Sequence, residues 1–593
     1  MINRELKRVM LVLTAGLFLL SAVLTGCGGG TDKPGTSTSA AGTSTATGTG
    51  STPAAERTPL TLEIFDNAAN YQGEQTGWFA KVVKDKFNLT LNILAPQVAG
   101  DQLYKTRSAA GDLGDILVID NSQLEDCIPA GLVADMTDLI KDYPNLSKYV
   151  DQHFKVFNAS FKKANPEGKI YAMPAYTAPT SPTAYTDEYA YSSPMMPWVY
   201  YKGVGSPKID NLDGLLDILQ KMKEKFPKNP DGKPIQAITL WKDWDNWSME
   251  NVRWLCNWYG YEQPEGTGSV LLNAKGDIVP LSDDNSMYKK ILKFYYDANQ
   301  RGLVDPDSVS QDWNKVNEKL TNNQVLLMWY SWQRGFYNTI ERGKNEDGNV
   351  VIPISDMKVI QTGDPYYGNG RVFALGSKAK DPKRAMEFMD WMNSPEGMRY
   401  LVDGIEGFNF EKTAGGKFKF TEVGKVAFQK NSPVPAEFGG GGYQDGEDKI
   451  NTQILSDIAI DPDTGETYNN NYWSATIEEN QTKLTKAWQE KFNAKNALDY
   501  LIKNKMIDIV PNINTSFGSD SSDIKNKRSQ CAELVKNTSW KMIFTKDEKE
   551  FNQLWQKMKT DLEGLGWNDV VAVDTAKCKT IVEMRAQAIA GAK

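Results

Sequence analysis

Histidine is almost absent from this chain of 593 residues, in which His153 is the single one. Metal sites built from clustered histidines are therefore excluded, and only one imidazole is available as a catalytic base. Cysteine is also sparse and forms no CxxC pair, so zinc-ribbon and thioredoxin-like sites lack their ligand pattern. The five cysteines are Cys27, Cys127, Cys256, Cys531 and Cys578. Their spacing does not decide whether the last four form disulfides.

The sequence also lacks a nucleotide-binding loop and a basic tract. Without a GxxxxGK[ST] segment, we do not expect the protein to hydrolyse nucleotides by itself. Acidic residues number 75 against 67 lysines and arginines, which gives a formal net charge of -8. Nucleic-acid affinity comes chiefly from Lys and Arg against phosphates, so we expect no nucleic-acid partner.

Calcium loops are missing too. The turn-rich segments KNPDGKP, NEDGNVV and DPDTGETYNNN lack the pattern D-x-[DN]-x-[DN]-G with a glutamate at the twelfth position. We therefore expect turns there, with no bound metal, and no cofactor is indicated elsewhere in the chain.

The first thirty residues have the pattern of a secretory signal. Arg4, Lys7 and Arg8 precede an apolar run that is too short and too lightly flanked to favour a permanent membrane span. The run ends in Leu24-Thr25-Gly26-Cys27, which resembles the bacterial lipobox. The resemblance implies a signal peptide over residues 1–26 and a lipid anchor, diacylglycerol and palmitate, on Cys27.

Residues 27–58 consist almost entirely of Gly, Ser, Thr, Ala and Pro. Such a composition cannot bury a core and predicts a flexible tether. A lipid anchor on a tether describes a protein held at a membrane surface with its folded body in solvent. We expect that location to be the extracellular face of the cell membrane.

From about Thr61, strand patterns alternate with helix patterns: LTLEIF, GWFAKVVKDKF, NLTLNIL, DQLYKTRSAAG and DILVID. This order predicts βαβ units and an α/β fold with a mostly parallel sheet. Ligands bind at the carboxyl ends of the strands in such sheets. Asp66 and Asn67 follow the first strand, and Asp120 and Asn121 follow DILVI, so these four are candidate ligand contacts. Ordinary turn chemistry is the alternative for both pairs.

The length predicts two or more domains, because one core rarely serves more than about 250–300 residues. Five further stretches, taken in order, resemble the family 1 extracellular solute-binding proteins of ABC sugar importers, and in particular the large lipoproteins of Firmicutes. They are AAGDLGDILVID, AGLVADMTDLIKDYPNLSKYV, PEGKIYAMPAY, LTNNQVLLMWYSW and FALGSKAKDPKRAMEFMDWMNSPEGMRYL. The resemblance is collinear from about residue 61 to residue 410.

The resemblance implies a two-lobed periplasmic-binding-protein fold (type II-like), in which two α/β lobes close on ligand about a hinge. The first lobe would hold residues 59–178 plus 364–405, and the second residues 179–363 plus 406–593. AYTAPTSPTAY and QTGDPYYGNG would be hinge crossings. One departure from the family is KNPDGKPIQAITL, which lacks the acidic pair that ends a calcium loop at that place in many large relatives.

The same resemblance implies the partners. It predicts a carbohydrate ligand in the size range of an oligosaccharide, delivered to ABC permease subunits that a separate ATPase drives. The protein itself would be a monomer without catalytic residues. Two alternatives stay open: a secreted glycosidase using a carboxylate pair such as Asp243 and Asp245, and an oligopeptide-binding protein of similar length.

Aromatic side chains are plentiful, and an indole ring can cover the C–H face of a sugar while polar side chains meet its hydroxyls. The segment LLMWYSWQRG offers Trp329, Trp332 and Arg334, and Trp332 best matches the stacking tryptophan of sugar-binding relatives. A core position against the hinge is the alternative for Trp332. Candidates near the predicted crossings are Tyr176, Tyr366, Tyr367, Arg371, Glu406 and Asn409.

The segment LWKDWDNWSMENVRWLCNWYGY, residues 240–261, is the richest in tryptophan. At about 100° per residue, Trp247, Trp254 and Trp258 share one helix face and predict a core stripe, with Trp247 in the first turn still a candidate for the cleft. Asp245 or Asn246 would cap that helix. The preceding loop supplies the predicted sugar contacts, which are Trp241, Asp243, Trp244 and Asp245.

Overall fold

The computed structural model describes residues 57–591, apart from residue 101, residues 514–516, residues 518–519 and the side chains of residues 428 and 429. The predicted signal peptide, Cys27 and nearly all of the predicted tether lie outside the described residues. Across the part of the chain that is described, no helix is long and apolar enough to cross a membrane.

The strands of the described residues fall into several sheets. They are β1 (Leu60–Asp66), β2 (Gly73–Glu74), β3 (Leu89–Leu94), β4 (Ile116–Asp120), β5 (Met173–Pro174), β6 (Ser192–Pro197), β7 (Tyr261–Glu262), β8 (Val270–Asn273), β9 (Ile278–Pro280), β10 (Met328–Tyr330), β11 (Asn349–Val351), β12 (Val359–Thr362), β13 (Arg371–Leu375), β14 (Phe410–Lys412), β15 (Phe418–Phe420) and β16 (Ile507–Val510).

Helices occupy more of the chain than strands do. They are α1 (Gly77–Phe87), α2 (Pro96–Ala99), α3 (Gln102–Ala109), α4 (Asn121–Cys127), α5 (Pro144–Ser147), α6 (Lys155–Ala159), α7 (Trp198–Gly203), α8 (Leu212–Lys225), α9 (Glu250–Cys256), α10 (Met287–Gln300), α11 (Trp313–Thr321), α12 (Ile340–Lys344), α13 (Pro382–Met392), α14 (Pro395–Val402), α15 (Gly424–Lys430), α16 (Tyr443–Gly446), α17 (Ser474–Glu479), α18 (Lys483–Phe492), α19 (Ala497–Lys503), α20 (Ser522–Ile543), α21 (Glu548–Gly564) and α22 (Trp567–Gly591).

The first sheet has the strand order β2-β3-β1-β4-β13-β5. Its centre is parallel, because β1 pairs in parallel with both β3 and β4, while β2, β13 and β5 add antiparallel edges. The strands are buried on both faces: Ile64 and Val118 pack in one core, and Phe65 and Ile119 pack in another on the opposite face. The prediction of strand–helix alternation over residues 60–120 is confirmed.

A second core forms around the antiparallel sheet β10-β6-β11, and isolated parallel bridges at Gln236 and Ile238 extend its pairing. Amphipathic helices α8 and α10 cover this core with residues such as Leu215, Leu219 and Tyr295. The structure is thus a two-lobed α/β fold, with one lobe around each sheet.

Two chain segments, one around Ala184 and one around Asp364, lie side by side. Gly363 has no room for a Cβ, because that atom would stand 2.8 Å from the carbonyl oxygen of Ala184. The Asp364 carboxylate accepts hydrogen bonds from the backbone N–H and the hydroxyl of Thr186 at 3.1 and 2.8 Å. These are the segments in which the sequence places the hinge crossings.

The predicted lobe boundaries stay a prediction, but the packing of one long segment bears on them. Residues of the segment 408–454, including Phe408, Ala427, Tyr443 and Ile454, pack in the core of the first sheet. From Leu484 onward the chain contributes to the second core.

The last three helices, α20, α21 and α22, pack on the second lobe. Arg528 of α20 and Asp574 of α22 form a buried two-point ion pair with N–O distances of 2.7 and 2.6 Å. The backbone N–H and hydroxyl of Ser269 donate to the same carboxylate at 2.9 and 2.6 Å. Helix α22 is thereby fixed to the body of the lobe.

Candidate functional site

Eight aromatic rings of the second lobe form one contiguous group, which we call the aromatic cluster. Strand β10 and the 3-10 turn Ser331–Phe336 after it supply three rings, and the loop before α9, α9 itself, the first turn of α11 and the residue before β6 supply the rest. The members are Tyr191, Trp241, Trp244, Trp254, Trp313, Trp329, Tyr330 and Trp332.

One side of the aromatic cluster belongs to the core. Trp241 and Trp329 stack with ring centroids 5.4 Å apart and an interplanar angle of 3°, and each is 1% exposed. Their indole N–H groups have no hydrogen-bond partner among the described residues. The sequence predicted both as sugar contacts, and the structure corrects this, because neither ring is accessible.

The other side of the aromatic cluster is accessible. Tyr191 is 38% exposed and Trp332 is 36% exposed. Tyr191 lies 4.8 Å from Trp254 between ring centroids, and Trp332 stacks on Tyr330 at 5.2 Å. The alternative of a core position for Trp332 is therefore excluded, and its ring is accessible to a ligand, as the predicted stacking contact requires.

A cavity of about 890 Å³, which we call the interlobe cavity, lies beside the aromatic cluster. Trp244, Trp247 and Trp254 of the second lobe line it. On the opposite side, Gly368 and Asn369 line the cavity. The backbone N–H of Asn369 donates a hydrogen bond to the carbonyl of Ala175, beside the first sheet. The cavity thus lies between the two cores.

The sequence predicts that residues 240–261 divide into ligand contacts before the helix and core residues within it. The structure partly reverses that assignment. Helix α9 begins at Glu250 rather than near Asn246, so Trp254 points from its first turns toward the cavity instead of into the core. Trp258 is buried, as predicted. Trp247 precedes the helix and packs against Gly268, where a Cβ would stand 2.4 Å from it.

Glu250 holds the wall of the interlobe cavity in place. One oxygen of its carboxylate accepts hydrogen bonds from the Trp254 indole at 2.5 Å, the Tyr330 hydroxyl at 3.1 Å and the Arg253 guanidinium at 3.0 Å. Fixed rotamers lower the entropy cost of ligand stacking, so this network prepares the aromatic surface for binding.

Asp243 and Asp245, the proposed carboxylate pair, are both engaged in structural contacts. Asp243 accepts a hydrogen bond from the backbone N–H of Trp313 at 2.6 Å. Asp245 accepts from the Trp540 indole at 2.6 Å and from the Glu250 N–H at 2.8 Å. Burial raises the pKa of Asp245 to about 6, and the Trp540 hydrogen bond opposes that shift.

The polar pairs at the carboxyl ends of β1 and β4 do come together. Asn67 donates to the Asp120 carboxylate at 3.4 Å, and Arg371 lies 3.5 Å from the same carboxylate. Asn121 is buried, and its backbone N–H donates to the carbonyl of Gly370, next to the cavity-lining Asn369. These residues form the first-lobe edge next to the interlobe cavity.

Asp66 is fully buried and accepts a hydrogen bond from the Ala68 N–H at 2.7 Å. Burial raises its pKa to about 8, with Asp448 adding to the shift, while the Ala68 hydrogen bond and Arg371 oppose it. Asp448 has a pKa raised to about 7 by burial. Tyr176, half-buried with a φ of 55°, has a pKa raised by burial and then by Asp457.

The remaining predicted contacts lie elsewhere. Tyr366 and Tyr367 are buried, and the carbonyl of Tyr366 pairs with His153 Nδ1 at 2.9 Å. Asn409 is buried and accepts from the Ile405 N–H at 2.9 Å, whereas Glu406 is exposed. These positions do not line the interlobe cavity.

Arg334 belongs to a second cavity of about 650 Å³, which also includes Tyr189, Asn471 and Trp488. Its guanidinium lies 3.9 Å above the ring of Tyr189. The sequence predicts Arg334 as a ligand contact, and the structure places it on a different cavity from the one that Trp244 lines.

Several lining residues escaped the sequence reasoning, notably Glu250, Arg253, Glu262 and Arg585. Arg585 reaches the cavity from α22 and pairs with Glu262, 323 positions earlier in the chain. No local pattern connects two such positions. Glu250 and Trp254 are four residues apart, a spacing that could have indicated a hydrogen-bonded pair on one helix face.

Residues 78–414, more than half of the chain, match the family described as Bacterial extracellular solute-binding protein. The chain belongs to this family, and it is a solute-binding protein rather than an enzyme. This family membership speaks against the glycosidase alternative.

Two curated relatives are similar to this chain. The fructooligosaccharide ABC transporter substrate-binding protein FusA of Streptococcus pneumoniae is 24% identical over 255 residues, which are 41% of this chain and 43% of that protein. Lipoprotein LipO of Bacillus subtilis is 20% identical over 332 residues, 54% of this chain and 61% of LipO. The aligned regions thus span about half the length of these relatives.

Solved structures support the fold. An HMO-binding, ABC-transporter-associated solute-binding protein from Bifidobacterium longum infantis has a TM-score of 0.60 at 14% identity, covering 88% of this chain and 98% of that one. The FusA complex with kestose has a TM-score of 0.56 at 15% identity, covering 88% and 99%. At these identities the likeness establishes the two-lobed fold alone.

Proposed function

We propose that this protein captures a carbohydrate, in the size range of an oligosaccharide, in the interlobe cavity. The observation that carries the proposal is the composition of that cavity, about 890 Å³ lined by three tryptophans and by amide residues such as Asn257, Gln263 and Asn369. Indole faces suit the C–H faces of sugar rings, and amides satisfy hydroxyls as both donors and acceptors. The kestose complex of FusA and the HMO-binding protein of Bifidobacterium longum infantis support the same ligand class.

Capture works by closure of the lobes. The segments around Ala184 and Asp364 act as hinge crossings, and the first lobe extends through residue 454 because that stretch packs in the first core. A ligand that contacts both lobes binds the closed form better and shifts the equilibrium toward it.

The protein acts as the receptor of an ABC importer. It is a monomer anchored by lipid on Cys27 at the extracellular face of the cell membrane, and it delivers sugar to permease subunits driven by a separate ATPase. The lipobox-like sequence before Cys27 and the likeness to LipO support the anchor. The likeness to FusA, an ABC transporter substrate-binding protein, supports the partners.

Calorimetric titration and thermal unfolding of the purified protein against oligosaccharides and oligopeptides of three to five units test this proposal. A ligand present at about one hundred times its dissociation constant adds about 2.7 kcal/mol of stability, which raises the melting temperature. We expect the rise with an oligosaccharide and none with the peptides. Binding of peptides without binding of sugars would contradict the proposal and favour the oligopeptide alternative.

A further inference from the structure

The charges around the interlobe cavity are already paired. Its described lining carries the cations Arg253, Lys577 and Arg585. Arg253 lies 3.0 Å from the carboxylate of Glu250, and Arg585 lies 2.5 Å from that of Glu262. The ammonium group of Lys577 lies 2.9 Å from the carboxylate of Asp520. Each of these lining cations is therefore paired with a carboxylate, and Lys577 shares its carboxylate with Arg528.

One acid in the lining has no such partner. Glu265 is exposed, and no cation of the described residues lies within ion-pair distance of it. Residues 514–519, beside the lining residue Ile513, read NTSFGS, which adds no cationic side chain. The first-lobe edge is also balanced, because Arg371 faces Asp120 at 3.5 Å.

A groove of about 440 Å³ continues the cavity past Asn246, Trp247 and Lys577, which belong to both. Its Arg528 is paired with Asp574 and Asp520, and its Lys536 with Glu533. Lys525 is the lining cation of this groove for which the described residues show no ion pair. Most cations along the continuous surface of the interlobe cavity and this groove are thus paired with carboxylates.

A cavity wall made of paired ions distinguishes anionic ligands from neutral ones. A carboxylate that enters a cleft loses water, and a cation that is already paired offsets less of that cost than an unpaired cation would. A cation already held by a carboxylate offers little further attraction, and Glu265 repels an anion. Neutral hydroxyls can replace the hydrogen bonds to water that they lose, since the amides and the two partners of each ion pair offer them both donors and acceptors.

We infer that the ligand is an uncharged oligosaccharide and that oligouronates are rejected, an inference that rests on the proposed sugar-binding function. The ion pair of Glu262 with Arg585 is a specificity determinant. The carboxylate of Glu262 keeps the guanidinium of Arg585 from binding an acidic sugar.

The first test is calorimetric titration, at one fixed salt concentration, of neutral gluco-, galacto- and manno-oligosaccharides of three to five units and of the corresponding oligouronates. We expect a neutral sugar to bind at least about ten-fold tighter than its uronate, the factor that corresponds to about 1.4 kcal/mol. Equal or tighter binding of uronates would overturn this inference while leaving the sugar-binding function intact. Failure of both panels to bind would overturn the proposed function and this inference with it.

A variant pair tests the role of Glu262. Glu262→Gln removes the negative charge that neutralises Arg585. Glu262→Asp keeps the negative charge and disturbs the local packing to a comparable extent. The ratio of uronate affinity to neutral-sugar affinity should rise about ten-fold in Glu262→Gln, as expected for one hydrogen bond to a charged group. It should stay near the wild-type ratio in Glu262→Asp. An unchanged ratio in Glu262→Gln, or the same rise in both variants, would refute the role of the ion pair.

Discussion

At the scale of single residues, Trp254 and Trp241 lie on opposite sides of the aromatic cluster. Trp254 lines the interlobe cavity, while Trp241 is 1% exposed and stacks on Trp329. Trp254→Ala should weaken sugar binding by about ten-fold or more, because a desolvated aromatic contact is worth about 2 kcal/mol. Titration calorimetry measures this loss, and chemical denaturation should show little change in stability.

Trp241→Ala is the matched control. Truncating a fully buried tryptophan leaves a cavity and should lower the free energy of unfolding by about 3–5 kcal/mol. If Trp241→Ala instead abolished binding with stability intact, while Trp254→Ala destabilised the fold, the assignment of the two rings would be reversed.

Asp66 gives a pH dependence of stability with a defined sign. An unfolded aspartate ionises near pH 4. In the folded protein, burial raises the pKa of Asp66 to about 8. Between these values the folded protein retains a proton that the unfolded chain has released, so the contribution of Asp66 to stability falls as pH rises from about 4 to about 8.

The variant Asp66→Asn removes this titrating group, while Asp448, which interacts with Asp66, remains in both proteins. The free energy of unfolding of the wild type should fall relative to that of Asp66→Asn as the pH is raised from about 5 to about 8. Urea denaturation at several pH values measures the difference. A difference that does not vary with pH, or that grows in favour of the wild type, would contradict a raised pKa.

At the scale of elements, helix α22 links stability to the cavity, because it carries Lys577 and Arg585 as well as Asp574. Asp574→Ala removes the two-point carboxylate partner of the buried Arg528 guanidinium and leaves Asp520 as its remaining ion-pair partner. We expect a loss of about 3–5 kcal/mol in the free energy of unfolding, as for other broken buried ion pairs.

The control lies on the same helix. Asp569 pairs with Lys527 at the exposed surface, and Asp569→Ala should change stability little, because water screens exposed ion pairs. Chemical denaturation compares the two variants. Equal effects would show that burial of the Arg528 pair is not what fixes helix α22.

Elements with strong local periodicity were predictable from the sequence. Helix α1 has the predicted bounds, and β1, β3 and β4 lie where the alternation of apolar residues places them. The start of helix α9 was not predictable. Trp247, Trp254 and Trp258 share a helical spacing, but the helix begins only at Glu250, after Trp247. The Asp245 carboxylate accepts from the Glu250 N–H there, a contact that periodicity cannot reveal.

At the scale of the whole molecule, the family, the two-lobed fold and part of the cavity wall followed from the sequence. Trp244 and Trp247 were predicted and do line the interlobe cavity. The pairing of Glu262 with Arg585, and the attachment of residues 408–454 to the first core, depend on contacts between distant parts of the chain. Such contacts follow from packing of the complete fold, and a single sequence carries no local signal for them.

The most direct test of the account is a crystal structure of the protein with the tightest-binding oligosaccharide of the calorimetric panel. We predict a sugar ring whose C–H face lies on Trp254 or Trp244 in the interlobe cavity, with hydroxyls bonded to residues of both lobes. A sugar bound in the second cavity, beside Arg334 and Trp488, or bound without contact to the tryptophans of the interlobe cavity, would contradict it.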